Sequence, residues 1–326
     1  MVVLAALARP GRKAFKNARV AAGVFVLSWL CGCASLAPQS ATLRDKLPQE
    51  LHQRVELKSV PFFPQKEYQC GPAALATLLA TYGAKVTPED LVSQVYIPER
   101  KGSLQIEMLA AARRHGMVSY QLAPRFADLL SEIAAGNPVI VLQNFGLRDG
   151  WHYAVAMGYD YDYGKLYLRS GETERSVLPF AIHEFLWMRS GYWAMVALPP
   201  DRIPATADES RWLAAVAALE RAGAPREART AYQTFLKRWP ANANAAVGLA
   251  NTHHALGELR EAEAVLQTAA RAHPDSVIVL NNLAQTLSDQ GRDAEALPVI
   301  DRAVALGGPF ADAVQETKRS IQQRLK

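Results

Sequence analysis

Cys70 lies in the run Gln65-Lys66-Glu67-Tyr68-Gln69-Cys70-Gly71-Pro72-Ala73-Ala74-Leu75. Pro72 suits a first helical turn, and Ala73 to Leu79 continues with strong helix formers, so the thiol sits where a helix begins. The unpaired N–H groups of that turn carry partial positive charge, and the expected consequence is a stabilised thiolate with a lowered pKa. A nucleophilic cysteine needs a base, and His152 is the best placed of the seven histidines, with His183 and His115 as rivals. Gly150 to Tyr159 alternates in polarity and precedes the turn-rich Asp160 to Gly164. If His152 to Tyr159 and Lys165 to Ser170 pair as a hairpin, a group that orients the imidazole is expected near residues 170 to 172, at Ser170 or Glu172. Asp160 and Asp162 lie at the far end of that hairpin and read as turn formers, while Trp151 is expected over the site.

The elements that must position these residues follow from the sequence pattern. Helices are expected at Ala73 to Tyr82, Thr87 to Val95, Ser103 to His115 and Phe126 to Ala135, the first closed by Gly83 and the third by Gly116. Short β-rich runs then follow at Pro138 to Gln143, His152 to Tyr159, Lys165 to Arg169 and Trp193 to Leu198. Helices before strands imply an α+β domain with an antiparallel sheet over residues 57–200. Pro199-Pro200-Asp201 begins the expected linker to a second unit over 201–326. There Gly223, Gly257 and Gly291 recur every 34 residues, as do Ala228, Ala262 and Ala296, and Pro240 with Pro274. This spacing resembles tetratricopeptide repeats, an all-α array whose concave face suits a protein partner. About two full repeats with partial flanking helices are expected.

The 36 basic residues exceed the 31 acidic ones because Arg9, Arg12, Lys13, Lys16 and Arg19 precede residue 33; the remainder is balanced. That excess marks a targeting segment and leaves no nucleic-acid footprint. An apolar run from Val20 to Leu30 leads into Leu30-Cys31-Gly32-Cys33, which resembles the lipobox of bacterial lipoproteins. The resemblance implies a signal peptide over 1–32, acylation of Cys33, a tether over 33–56 and a membrane partner reached through the lipid. Ala34 after the cysteine favours the periplasmic face of a Gram-negative outer membrane. Cys70 is then without a disulfide partner in an oxidising compartment, which favours a thiol kept free for chemistry. His253 and His254 are adjacent and diverge on a helix, so no metal or other cofactor is expected.

The run around Cys70, with a histidine opening a strand about 80 residues later, is similar to the papain-like peptidase domains that process double-glycine leaders of bacteriocins. The resemblance covers roughly residues 57 to 198. It implies Cys70 as the nucleophile that attacks a peptide carbonyl and His152 as base and later acid. It also implies Gln65 as an oxyanion donor beside the Cys70 N–H, with Gln69 the alternative because Gln65 is one residue nearer the cysteine than is usual. Arg169-Ser170-Gly171 stands where the family has Asn-Asp-Pro. The expected chain is thus a papain-like cysteine peptidase domain followed by helical repeats, acting on a peptide or protein. The other reading is a catalytically degenerate adaptor that binds peptides at the cell envelope.

Overall fold

The computed structural model describes residues 37–146 and 150–326, apart from 46–50. Cys33, the expected site of acylation, and the expected signal peptide over 1–32 lie outside the described residues. Helix α2 (Cys70–Thr81) follows α1 (Pro38–Asp45) and the short strand β1 (Arg54–Glu56). Next come α3 (Pro88–Val95), a two-stranded ribbon of β2 (Tyr96–Ile97) and β3 (Gly102–Ser103), and α4 (Gln105–Arg114). The sheet strands are β4 (Val118–Gln121), β5 (Val139–Asn144), β6 (Trp151–Asp160), β7 (Lys165–Ser170), β8 (Thr173–Pro179) and β9 (Ala194–Leu198). Helices α5 (Phe126–Ala134) and α6 (Phe180–Trp187) interrupt them. All pairings are antiparallel in the order β4-β9-β5-β6-β7-β8, with β1 lying on β6.

Alternation along the central strands divides the core between the two faces of this sheet. Ile140, Leu142, Tyr153, Val155, Met195 and Ala197 face α2, α3 and α4. Val139, Val141, Ala154, Ala156, Val196 and Leu198 face the other way, toward α5 and α6. The α3 start follows its sequence closely: Pro88 occupies the first turn, and Thr87 and Asp90 cap one another in a reciprocal box. At Gly158 the β6 register shifts, and an added Cβ would lie 2.7 Å from the Val55 carbonyl and 2.9 Å from the Tyr167 ring. Only glycine lets β1 and β7 approach β6 there.

The tether expected over 33–56 is corrected where it is described. β1 belongs to the sheet, and α1 docks on α6 with Ala37, Ser40 and Leu43 buried. The buried Glu184 carboxylate accepts hydrogen bonds from the Gln39 N–H at 2.8 Å, the Ser40 N–H at 2.6 Å and the Ser40 hydroxyl. An anion is thereby set at a helix N-terminus. The linker expected after Pro199 is likewise packed. Glu132 of α5, fully buried, accepts from the Thr206 N–H at 2.8 Å and the Thr206 hydroxyl at 2.6 Å.

The helical half contains α7 (Glu209–Arg221), α8 (Pro225–Arg238), α9 (Ala243–Ala255), α10 (Leu259–Ala272), α11 (Val277–Asp289), α12 (Asp293–Leu306) and α13 (Ala311–Arg324). These make three pairs and a closing helix, one pair more than the two expected full repeats. Gly223, Gly257 and Gly291 adopt left-handed φ values of 82°, 78° and 77° at the turn inside each pair, and Ala228, Ala262 and Ala296 are fully buried. Trp212 of α7 meets Tyr120 of β4 edge to face at 5.7 Å, and both belong to one apolar cluster that runs from the sheet to Leu249.

Candidate active site

Cys70 is the first residue of α2, half-buried, and packs against the core beneath the sheet. It shares a cavity of about 500 Å³ with Gln65, Tyr68, Ser103, Trp151 and His152. The hairpin of β6 and β7 forms as its alternation predicts, and it brings Ser170 to His152: the imidazole Nε2 and the Ser170 hydroxyl are hydrogen-bonded at 2.9 Å. Glu172 is exposed in the turn beyond, and Ser170 is the residue that touches the ring. With Nε2–H donating to the hydroxyl, Nδ1 keeps the lone pair that a base needs. The Phe145 ring lies edge-on to the imidazole at 5.9 Å, an apolar contact that also limits its rotation.

Gln65 is held at both ends of its residue: its N–H donates to Gly171 O at 3.2 Å and its Nε2 to Tyr153 O at 3.3 Å. One amide hydrogen of that side chain is left for a ligand. Gln69 precedes the helix as its N-cap and is absent from the cavity wall. The rival histidines are elsewhere. His183 is fully buried, stacked on Trp187 at 5.5 Å and bonded through Nδ1 to Gln143 at 2.9 Å; His115 lies beside Gln94. Asp160 accepts from the Tyr163 N–H at 3.2 Å, the turn role expected of it. His253 and His254 each meet a carboxylate, on Glu258 and Asp289.

The electrostatics reverse one expectation. Burial pushes the Cys70 thiol up, and the backbone N–H groups of Tyr153, Gly71 and Cys70 offset it only in part. Burial also brings His152 down to about 4. A helix N-terminus lowers a thiol pKa where the sulfur remains solvated, and here desolvation is the larger effect. The resting pair is therefore a neutral thiol and a neutral imidazole. Ser170 supplies a dipole but no negative charge to favour imidazolium.

Residues to which the motif gives no role also shape the site, and Ser103, Tyr68 and Lys101 of the cavity wall are among them. Gly71 is needed because an added Cβ would lie 2.2 Å from the Ser103 hydroxyl and 2.6 Å from its Cβ. That hydroxyl is buried and has no hydrogen-bond partner among the described residues. Gly71→Ala is expected to cost about 1–3 kcal/mol by overpacking, read as a lower urea midpoint. Adding Ser103→Gly should restore most of it; a double variant no more stable than the single one would contradict this packing. Tyr68 and Lys101 are two of the three non-glycine residues with positive φ among the described residues, at 61° and 47°. Both line the cavity, and the Lys101 ammonium lies 5.0 Å from the Tyr68 ring. Their backbone conformations are ones that a surrounding fold must hold in place.

Residues 57–174 match the Peptidase_C39 like family, and residues 219–279 and 251–309 each match the tetratricopeptide repeat. No curated protein matches the chain. Among solved structures, a Bacillus anthracis protein described as a C39-like peptidase is 18% identical, covering 45% of this chain and 98% of that one with a TM-score of 0.38. The peptidase domain of Streptococcus ComA, a bi-functional ABC transporter, is 19% identical over 45% of this chain and 99% of that one, with a TM-score of 0.34. The Yersinia enterocolitica type III secretion chaperone SycD, solved with a peptide of the translocator YopD, is 16% identical over 35% of this chain and 92% of that one, at 0.33. The chain joins a peptidase C39-like domain, in which Cys70 and His152 share one cavity and Ser170 is hydrogen-bonded to the imidazole, to tetratricopeptide repeats.

Proposed function

We propose that this protein is a membrane-anchored cysteine peptidase that hydrolyses peptide bonds at Cys70, with the repeats holding a protein substrate or partner. The observation that carries the reading is the His152–Ser170 hydrogen bond at 2.9 Å beside a cavity that also contains Cys70 and Gln65. As the Cys70 sulfur attacks the scissile carbonyl, His152 takes the thiol proton, so charge separates only as the new bond forms. The oxyanion is met by the Gln65 side-chain N–H and the Cys70 backbone N–H, which the first helical turn leaves unpaired. His152 then gives the proton to the departing amine, leaving a thioester. Water, deprotonated by the same imidazole, releases the acid and restores the thiol.

Acylation at Cys33 would fix the protein to a bilayer, on the periplasmic side of the outer membrane under this reading. The test is intact-mass and peptide-level mass spectrometry of the full chain incubated with a mixed peptide library. An acyl adduct on Cys70 that turns over, and is absent in Cys70→Ala, is the expected result. Library peptides left uncut and Cys70 unmodified would overturn it. One specific feature favours a second reading, a peptide-binding adaptor without catalysis: a serine occupies the place of the orienting carboxylate. Its signature is a peptide retained equally well by the wild type and by Cys70→Ala.

A further inference from the structure

Arg100, Lys101 and Arg189 line the cavity that contains Cys70, and among the described residues no acidic side chain does. Their sequence neighbours Glu67 and Glu99 lie outside its wall. Elsewhere Arg125, Arg175, Arg229 and Arg292 each meet a carboxylate, whereas Arg113, Arg221 and Arg260, like the cavity cations, form no ion pair among the described residues. None of the three cavity cations forms an ion pair among the described residues.

Two of these cations are held in place without charge neutralisation. The Arg189 guanidinium lies 4.4 Å from the Phe185 ring and donates Nη1–H to the Asn144 carbonyl at 3.1 Å. An added Cβ at Gly146 would stand 2.7 Å from that same nitrogen, so the glycine is what lets the guanidinium lie against the loop. Most of its donors remain unused. Lys101 is fixed by its left-handed backbone and by the Tyr68 ring. Cation–π contacts position a charge and leave it available to an anion.

Resting on the peptidase reading, we propose that the substrate is an acidic peptide, with Asp or Glu side chains beside the scissile bond meeting Arg100, Lys101 and Arg189. All three are exposed; cations that line one cavity raise the local concentration of an anion there, and salt screens the effect. Carboxylates of the substrate would also exchange water for bidentate contact with the two guanidinium groups.

The first measurement needs no hydrolysis. In the full chain, solubilised in detergent, Cys70 is alkylated with anionic iodoacetate and with neutral iodoacetamide, and the ratio of rates is compared with that of free cysteine. The expected ratio is about fivefold above the free thiol at low salt, falls with added sodium chloride, and is lost in Arg100→Gln/Lys101→Gln/Arg189→Gln. Arg189→Gln alone, with far-UV circular dichroism unchanged, should lose part of it and guards against a triple variant that fails to fold. The second measurement compares peptides that differ only in Asp/Glu against Asn/Gln around the cut, by acyl adduct formation on Cys70. A ratio equal to that of free cysteine, or equal acylation of the two peptide sets, overturns the proposal while leaving the peptidase reading standing. An elevated ratio with no peptide acylated keeps the anion-selective cavity but removes the peptidase reading, and with it the acidic peptide as substrate.

Discussion

Replacing His152 by alanine is expected to slow acylation of Cys70 by about 10²–10⁴-fold at neutral pH, the usual contribution of a positioned base. The neutral resting pair makes the effect large, since without the imidazole the thiol has no acceptor for its proton and burial opposes its ionisation. The same electrostatics predict the opposite outcome at the neighbouring position. Ser170→Asp places a carboxylate on Nε2, where the hydroxyl now lies at 2.9 Å, and favours imidazolium as the thiol ionises. About a tenfold gain in acylation is expected, with the pH dependence moving to lower pH. Initial rates of thioester formation from pH 5 to 10 check both variants. An unchanged rate in His152→Ala would remove the histidine from the mechanism, and a Ser170→Asp variant no faster than wild type would mean that the hydroxyl already serves as well as a carboxylate.

Acid is expected to destabilise this fold well before its carboxylates protonate. Burial holds His183 down to about 3 and His152 down to about 4, against about 6.5 in the unfolded chain. Between those values the unfolded state binds more protons than the folded one, so stability rises with pH there and is lost as pH falls below about 6.5. Each histidine contributes up to about 1.4 kcal/mol per pH unit, which amounts to several kcal/mol by pH 4. The interval from pH 6.5 to 5 isolates the histidines, because aspartates and glutamates titrate lower. Urea midpoints measured across it should fall steadily, and His183→Phe, which keeps an aromatic ring between Phe126 and Trp187, should flatten the slope. A midpoint that stays level over that range in the wild type would refute the buried neutral imidazoles.

Much of the fold is legible because its signals are local. The 34-residue recurrence of glycine and alanine is the turn and the close helix contact of one repeated unit, and Thr87 to Asp90 is a cap that closes on itself. Alternation in β6 and β7 sets a hairpin, and the hairpin brings position 170 to His152. What escaped the sequence is decided by partners far along the chain. Helix α1 is polar and weakly patterned, and its place is fixed by Glu184 more than a hundred residues later. Strand β8 is mostly exposed, so burial leaves no period in its sequence. The sign of the Cys70 shift reflects how deeply β6 and the β3 ribbon bury the sulfur, which the helix-start motif does not encode. Arg100, Lys101 and Arg189 are ordinary surface residues in sequence and acquire meaning from the shared cavity.

The apolar cluster that joins Tyr120 and Phe126 to Trp212, Val216 and Tyr232 has a consequence for biosynthesis. A nascent chain emerges from its N-terminus, so the sheet is complete in length once residue 198 has appeared, with α5 and α6 already on this face but the Tyr120 end of it still without Trp212 and Val216. Until α7 and α8 follow, that part of the face is apolar surface of the kind that recruits chaperones or drives premature association. Ribosomal stalling or truncation just past the last strand would therefore release an aggregation-prone fragment rather than a smaller stable domain. The repeats, besides any docking role, are the late-arriving cover that finishes the packing of the N-terminal domain.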